Sequence, residues 1–128
     1  MKITKKSQCL HVDKPEGSSV DYYIFNEYEI HYNDIAPGTV QNWHHHSRIH
    51  EVLYIIDGEI EAHYVNDKGL KQKELVTKGD VVEVGNTPHT FINQSDVVVR
   101  MIVFRFVPTG TNQKEVIKND KILDPQLD

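Results

Sequence analysis

The residues of this chain best suited to chemistry are four potential metal ligands. His44 and His46 stand one residue apart in the run Gly38-Thr39-Val40-Gln41-Asn42-Trp43-His44-His45-His46-Ser47-Arg48-Ile49-His50-Glu51, which Glu51 closes. Side chains alternate faces along a strand, so His44 and His46 point one way and His45 the other. Two imidazoles on one face can grip one ion. Glu51 lies five positions past His46, an odd number that would put it on the opposite face of an unbroken strand. The chain is therefore expected to bend at Ser47-Arg48, with Glu51 opening the adjacent strand and His50 facing away. A fourth ligand comes from Thr87-Pro88-His89-Thr90-Phe91-Ile92-Asn93, where His89 follows a proline and leads into a strand.

Three imidazoles and one carboxylate suit one divalent transition metal: Fe, Mn, Zn, Ni or Co. Four protein ligands on a six-coordinate ion leave two positions for water, substrate or O₂, as in iron oxygenases held by two histidines and a carboxylate. The lone cysteine, Cys9, rules out an internal disulfide and a thiolate zinc site. A single histidine on a strand is ordinarily a surface or hydrogen-bonded residue, and His11, His31 and His63 are read that way. His45 and His50 are assigned outward or supporting positions.

Strands must position these ligands. Turn-forming clusters recur at short intervals, among them Pro15-Glu16-Gly17-Ser18, Asp57-Gly58, Asn66-Asp67-Lys68-Gly69, Lys78-Gly79-Asp80 and Gly85-Asn86-Thr87-Pro88. Between them, Tyr22–Phe25, Glu27–Ile35, Glu51–Ile56, Ile60–Val65, Val81–Val84 and Val97–Val107 are rich in β-branched and aromatic residues. Short strands at regular spacing predict an all-β sandwich or barrel. Only Asn112–Leu123 permits a short amphipathic helix; a loose tail is the alternative, and the ending Asp124–Asp128 is expected to fray.

At 128 residues the chain has the size of one domain. Its formal net charge of −5 makes it a poor partner for nucleic acid. It shows no signal-peptide run and no stretch long enough for a membrane span, which predicts a cytoplasmic protein.

The two ligand-bearing stretches resemble the paired motifs of the cupin superfamily. The first motif is a glycine, five residues, His-x-His, three or four residues, Glu, six residues and a glycine. Gly38, His44, His46, Glu51 and Gly58 fill every fixed position. The second opens at Gly79-Asp80 and closes at His89 and Asn93. Its middle departs from the family, with Gly85-Asn86-Thr87-Pro88 in a segment one residue shorter. The resemblance spans roughly residues 25–107. It implies a double-stranded β-helix, a jelly-roll-like barrel, with the metal at His44, His46, Glu51 and His89 inside one end. It also implies a homodimer formed through N-terminal strands. On this reading residues 1–24 add strands to the barrel or the dimer, 25–107 form the barrel, and 108–128 form a tail.

Fold alone does not choose a reaction. The first expectation is a metal-dependent, dioxygenase-like enzyme acting on a small organic molecule, with Gln41, Trp43, Leu53, Ile55, Phe91, Met101 and Val103 lining its pocket. A non-catalytic binding module is the second. A metal-dependent isomerase or lyase is the third, and needs an acid or base beside the metal; Glu61, Tyr64, Tyr54 and Arg100 are the residues considered for it. Arg100 and Arg105 lie in an apolar strand, so at least one is expected to be partly buried and paired.

Overall fold

Alternation of inward and outward side chains builds almost the whole molecule. In the computed structural model, which describes residues 1–128, the chain forms β1 (Leu10–Asp13), β2 (Ser18–Ile24), β3 (Tyr28–Ile35), β4 (His44–His45), β5 (His50–Asp57), β6 (Glu59–Val65), β7 (Lys71–Thr77), β8 (Val81–Glu83), β9 (His89–Ile92), β10 (Val99–Phe106), α1 (Lys114–Asn119) and β11 (Ile122–Leu123). These make a six-stranded sheet in the order β1-β2-β3-β10-β5-β8 and a five-stranded sheet in the order β11-β4-β9-β6-β7. Every pairing is antiparallel. The result is the jelly-roll, double-stranded β-helix expected from the motifs.

The core lies between the sheets. Ile35, Leu53, Ile55, Ile60, Ala62, Val76, Val84, Phe91, Val99, Met101 and Val103 form one buried apolar cluster. Burial of such side chains supplies about 1.5–3 kcal/mol each. Tight reversals fix the register around it. At the β5–β6 turn Gly58 has φ +85°, and a Cβ there would come within 3.2 Å of the Val98 carbonyl oxygen. Gly17 leads into β2 with φ +122°, and a Cβ there would collide with the Thr39 hydroxyl. Both positions require glycine.

Three features depart from the sequence reading. β7 was not among the expected strands, because only Val76 of its seven residues is buried. It is an edge strand paired to β6 alone, so backbone hydrogen bonds hold a segment with no apolar face to reveal it. The bend at Ser47-Arg48 does not lead to an adjacent strand. It carries the chain from β4 in one sheet to β5 in the other. The C-terminal segment is neither a loose tail nor frayed at Asp124. The helix is confined to Lys114–Asn119, and β11 then pairs with β4, setting Ile122 opposite His45 and Leu123 opposite His44. Asp124 is buried, and its N–H donates to the Trp43 carbonyl at 2.8 Å. The sheet thus continues past residue 107.

Candidate metal centre

Two strand ends bring the imidazoles together. His44 sits on β4 directly opposite His89 on β9, and His46 follows at the start of the crossover. Ring centroids are 4.4 Å apart for His44–His89, 5.1 Å for His44–His46 and 5.4 Å for His46–His89. One ligand nitrogen from each lies within 4.8 Å of the others, and all three residues are buried.

The outer nitrogens set the tautomers. His44 Nδ1 meets the Asn42 carbonyl at 2.7 Å, His46 Nδ1 the Asp120 carbonyl at 2.5 Å, and His89 Nδ1 the Thr87 carbonyl at 2.8 Å. A carbonyl only accepts, so each Nδ1 carries the proton and each Nε2 presents a lone pair to the interior. His89 Nε2 is buried without a hydrogen-bond partner. Glu51 Oε2 lies 3.1 Å from His46 Nε2 and 3.7 Å from His89 Nε2. Acceptors converging on one point, one of them an orphan, require a cation between them. The donor set therefore fits a divalent metal, and His44, His46 and His89 form the buried triad that holds it.

Electrostatics agree with that reading. Burial, reinforced by the neighbouring His89, pushes His44 down to about 3 despite the Asn42 carbonyl. Burial also lowers His89, against the pull of the Thr87 carbonyl and Glu51. Both rings are neutral near pH 7, as metal binding requires. Burial alone would raise the Glu51 carboxyl. The neighbouring His46 ring and the Arg105 guanidinium outweigh it, holding Glu51 well below the usual carboxylate range. Arg105 Nε donates to Glu51 Oε1 at 2.8 Å, leaving Oε2 turned toward the histidines.

The C-terminal segment buttresses the site, a role that no sequence pattern announced. The Asp120 carboxylate accepts the N–H groups of Ser47, Arg48 and Ile49 at 2.7–3.1 Å, while its carbonyl holds His46. Asp124 meets His45 Nδ1 at 2.8 Å. The crossover between His46 and Glu51 is thereby fixed from residues more than seventy positions away.

A cavity of about 360 Å³ opens onto His44, Glu51 and His89. Of the expected lining residues, Gln41, Leu53, Phe91, Met101 and Val103 face it. Trp43 and Ile55 do not. Trp43 precedes β4 in irregular chain, where alternation does not apply, and it packs beneath the Lys71 ammonium, 5.1 Å from its ring. Ile55 points inward but sits deeper, fully buried in the apolar core. The four residues considered as acid or base lie elsewhere. Glu61 binds His63, Tyr64 binds Glu74, Tyr54 is exposed, and Arg100 pairs with Asp34. The reading of His31 missed its place. Hydrogen-bonded as expected, it is also buried and lines the cavity, together with Asn33. Lys14, Glu16 and Lys121 reach the same space. A larger cavity, about 890 Å³, lies between β6, β7 and β8; it touches His89 and Phe91 but neither His44 nor Glu51.

A family model described as "Cupin domain" matches residues 31–105. The chain is a cupin. No curated protein matches it significantly. Among solved structures, this cupin superposes on a variant of oxalate decarboxylase from B. subtilis with a TM-score of 0.74 at 15% identity, covering 94% of this chain and 32% of that one. Oxalate oxidase in complex with glycolate gives a TM-score of 0.67 at 18% identity, covering 81% and 58%. Another oxalate oxidase structure gives 0.71 at 17%, covering 96% and 63%. The cupin thus spans about a third of the decarboxylase and about three fifths of the oxidase. At these identities the likeness is one of fold. No helix of the cupin is long and apolar enough to cross a membrane.

Proposed function

We propose that this cupin is a metal-dependent enzyme acting on a small organic acid, with Glu51 as the fourth ligand beside the three histidines. The observation that carries the proposal is the charge on the cavity wall. Lys14, Lys121 and Arg105 line the space over the metal triad, three cations against the two carboxylates Glu16 and Glu51. Arg105 is engaged by Glu51, whereas the other ion pairs of basic chains, Lys73–Glu61 and Arg100–Asp34, leave Lys14 and Lys121 unpaired. Burial lowers Lys121, and the like charges of Lys14 and Arg105 lower it further, against a smaller upward pull from Glu16 and Glu51. Cations held close together in a cavity favour an anionic occupant. The structural neighbours act on or bind oxalate and glycolate by name, which supports the same substrate class.

Bound there, a divalent metal would supply Lewis acidity and orient the acid. The dioxygenase reading rests on open coordination positions alone. The His31 imidazole, which lines the same cavity, favours a non-oxidative reaction, the isomerase or lyase class. A homodimer completes the proposal. β1 forms a free sheet edge, and Leu10 on it is exposed.

The test combines elemental analysis with calorimetric titration of oxalate and glycolate into metal-loaded protein. About one metal per chain is expected, lost in His44→Ala and in His89→Ala. Lys121→Ala should weaken oxalate binding about tenfold, the equivalent of one charge-assisted contact. Wild-type protein that takes up no Mn(II), Fe(II) or Zn(II) would sink the proposal.

A further inference from the structure

The inner face of β3 is polar where a barrel strand is ordinarily apolar. Glu29, His31 and Asn33 are each no more than 7% exposed and point between the sheets. Only His31 and Asn33 of these reach the cavity. His31 Nε2 lies 2.8 Å from Glu29 Oε1. A carboxylate accepts, so Nε2 carries the proton and Nδ1 is left with its lone pair. Nδ1 has no partner in the protein, yet it is not among the sealed, orphaned atoms. It therefore opens to the space that the ring lines. Tyr22, from β2, packs edge-on against the ring at 4.4 Å between centroids and holds its plane.

We propose that His31 is the general base and acid of the site, oriented by Glu29 as its positioning residue, and that the reaction is a proton transfer on a carbonyl- or carboxylate-activated carbon of the substrate. This rests on the metal-dependent, organic-acid reading above. In the step, Nδ1 takes a proton from the carbon beside a carbonyl or carboxylate. The C–H bond breaks, and its electron pair moves onto the neighbouring oxygen to give an enolate. The ring becomes an imidazolium whose Nε2–H stays on Glu29. It then returns a proton to the same carbon as the electron pair folds back from the oxygen, which re-forms the C–H bond in an exchange or an epimerisation. No oxidant or second reactant is consumed. The negative charge developed on the substrate lies in a cavity lined by Lys14, Lys121 and Arg105.

The surroundings suit a base. Burial lowers His31 below the ordinary imidazole range; Glu29 pulls it back up, Arg105 from β10 pushes it down, and Glu51 from β5 raises it slightly. The ring is neutral at pH 7, and the dyad is the histidine–carboxylate pairing that fixes a tautomer and steadies an imidazolium.

The experiment uses Zn(II)-loaded protein and two readouts. Nitrogen-15 NMR of the assigned His31 ring should show protonated Nε2 and bare Nδ1 at pH 7. In Glu29→Gln a mixture of tautomers should appear. In D₂O, with pyruvate as probe, the wild type should exchange methyl protons for deuterium. His31→Gln should lose this exchange by about 100-fold or more, while zinc content and oxalate affinity stay within about twofold. Should His31→Gln fold poorly, Glu29→Gln keeps the ring and is expected to lose exchange with the same zinc content. Protonated Nδ1, an imidazolium at pH 7, absent exchange in the wild type, or undiminished exchange in His31→Gln would each overturn the assignment. Failure of the organic-acid reading itself would instead appear as loss of zinc or oxalate binding by the wild type.

Discussion

Along the inner faces of β3, β10 and β5, the two ends of one barrel differ in kind. At the end that holds the metal triad, Glu29, Arg105 and Glu51 lie side by side in register. One step deeper come His31, Val103 and Leu53, then Asn33, Met101 and Ile55, and at the far end Ile35 faces Val99. The same three strands thus run from a charged row to an apolar one. Burying charge is unfavourable unless partners compensate it, and here each charge has one: Glu29 with His31, and Glu51 with Arg105. The apolar rows contribute the stability that lets the other end remain polar. A binding site is built at the end that packs least well for folding.

This contrast predicts that damage at the two ends is separable. Ile55 is fully buried in the apolar cluster, and Ile55→Ala should lower stability by about 2–5 kcal/mol while metal stoichiometry is retained. Denaturant titration and elemental analysis of the same sample check it. Metal lost in proportion to stability would mean that the two ends fold and bind as one unit.

Asp120 offers a smaller and opposite effect, at the polar end only. Burial would raise its carboxyl, but the N–H groups of Arg48, Ile49 and Ser47 outweigh that and hold it at about 2, below its ordinary 3.8. A depressed carboxylate contributes stability that is present above about pH 4 and lost as pH falls through about 2. Asp120→Asn keeps the shape but loses acceptors for the crossover. Metal affinity should fall about 10–100-fold, the usual cost of removing a group that orients a ligand, and the acid-side loss of stability in this window should shrink. Unchanged metal affinity would show that β4 and β5 alone hold the crossover.

What could be read from the sequence divides along the same line. The triad of His44, His46 and His89 was legible because strand alternation and motif spacing are local properties. The two-sheet barrel was legible from turn clusters, but β1, β7 and β11 were not, since β7 hides an edge strand in polar residues and β11 lies in a stretch read as helix or tail. Asp120 and Asp124 were not, because their partners at Ser47–Ile49 and His45 come from a crossover and a two-residue strand that sequence separation conceals. His31 looked like any single histidine. The signal that could have found it is the alternation Glu29-x-His31-x-Asn33-x-Ile35, which puts three polar residues on the face that Ile35 shows to be inward. Depth was illegible as well. Alternation gave the face of Ile55 but not its distance from the cavity.

The smallest expected effect compares two histidine–carboxylate pairs of like chemistry and unlike burial. His11, exposed on β1, bonds Asp21 at 2.6 Å and Asp13 at 2.9 Å. Its hydrogen bond to Asp21, then that to Asp13, raise it above 6.5. His31 is lowered below 6.5, because burial exceeds the pull of Glu29. The linkage signs are opposite. The His11 contribution is fully present below pH 6.5 and lost as pH rises through its raised value. At His31 the unfolded chain binds the extra proton, so stability is lost as pH falls from 6.5 toward its lowered value. A proton NMR titration of the two rings should give midpoints on opposite sides of 6.5. His11→Ala should remove only the alkaline slope of a thermal-melt profile, and by little, since solvent screens an exposed pair. If both rings titrated above 6.5, Glu29 would dominate the surroundings of His31. A midpoint well above 7 would make the ring an imidazolium at neutral pH, unable to accept a proton from anything in the cavity.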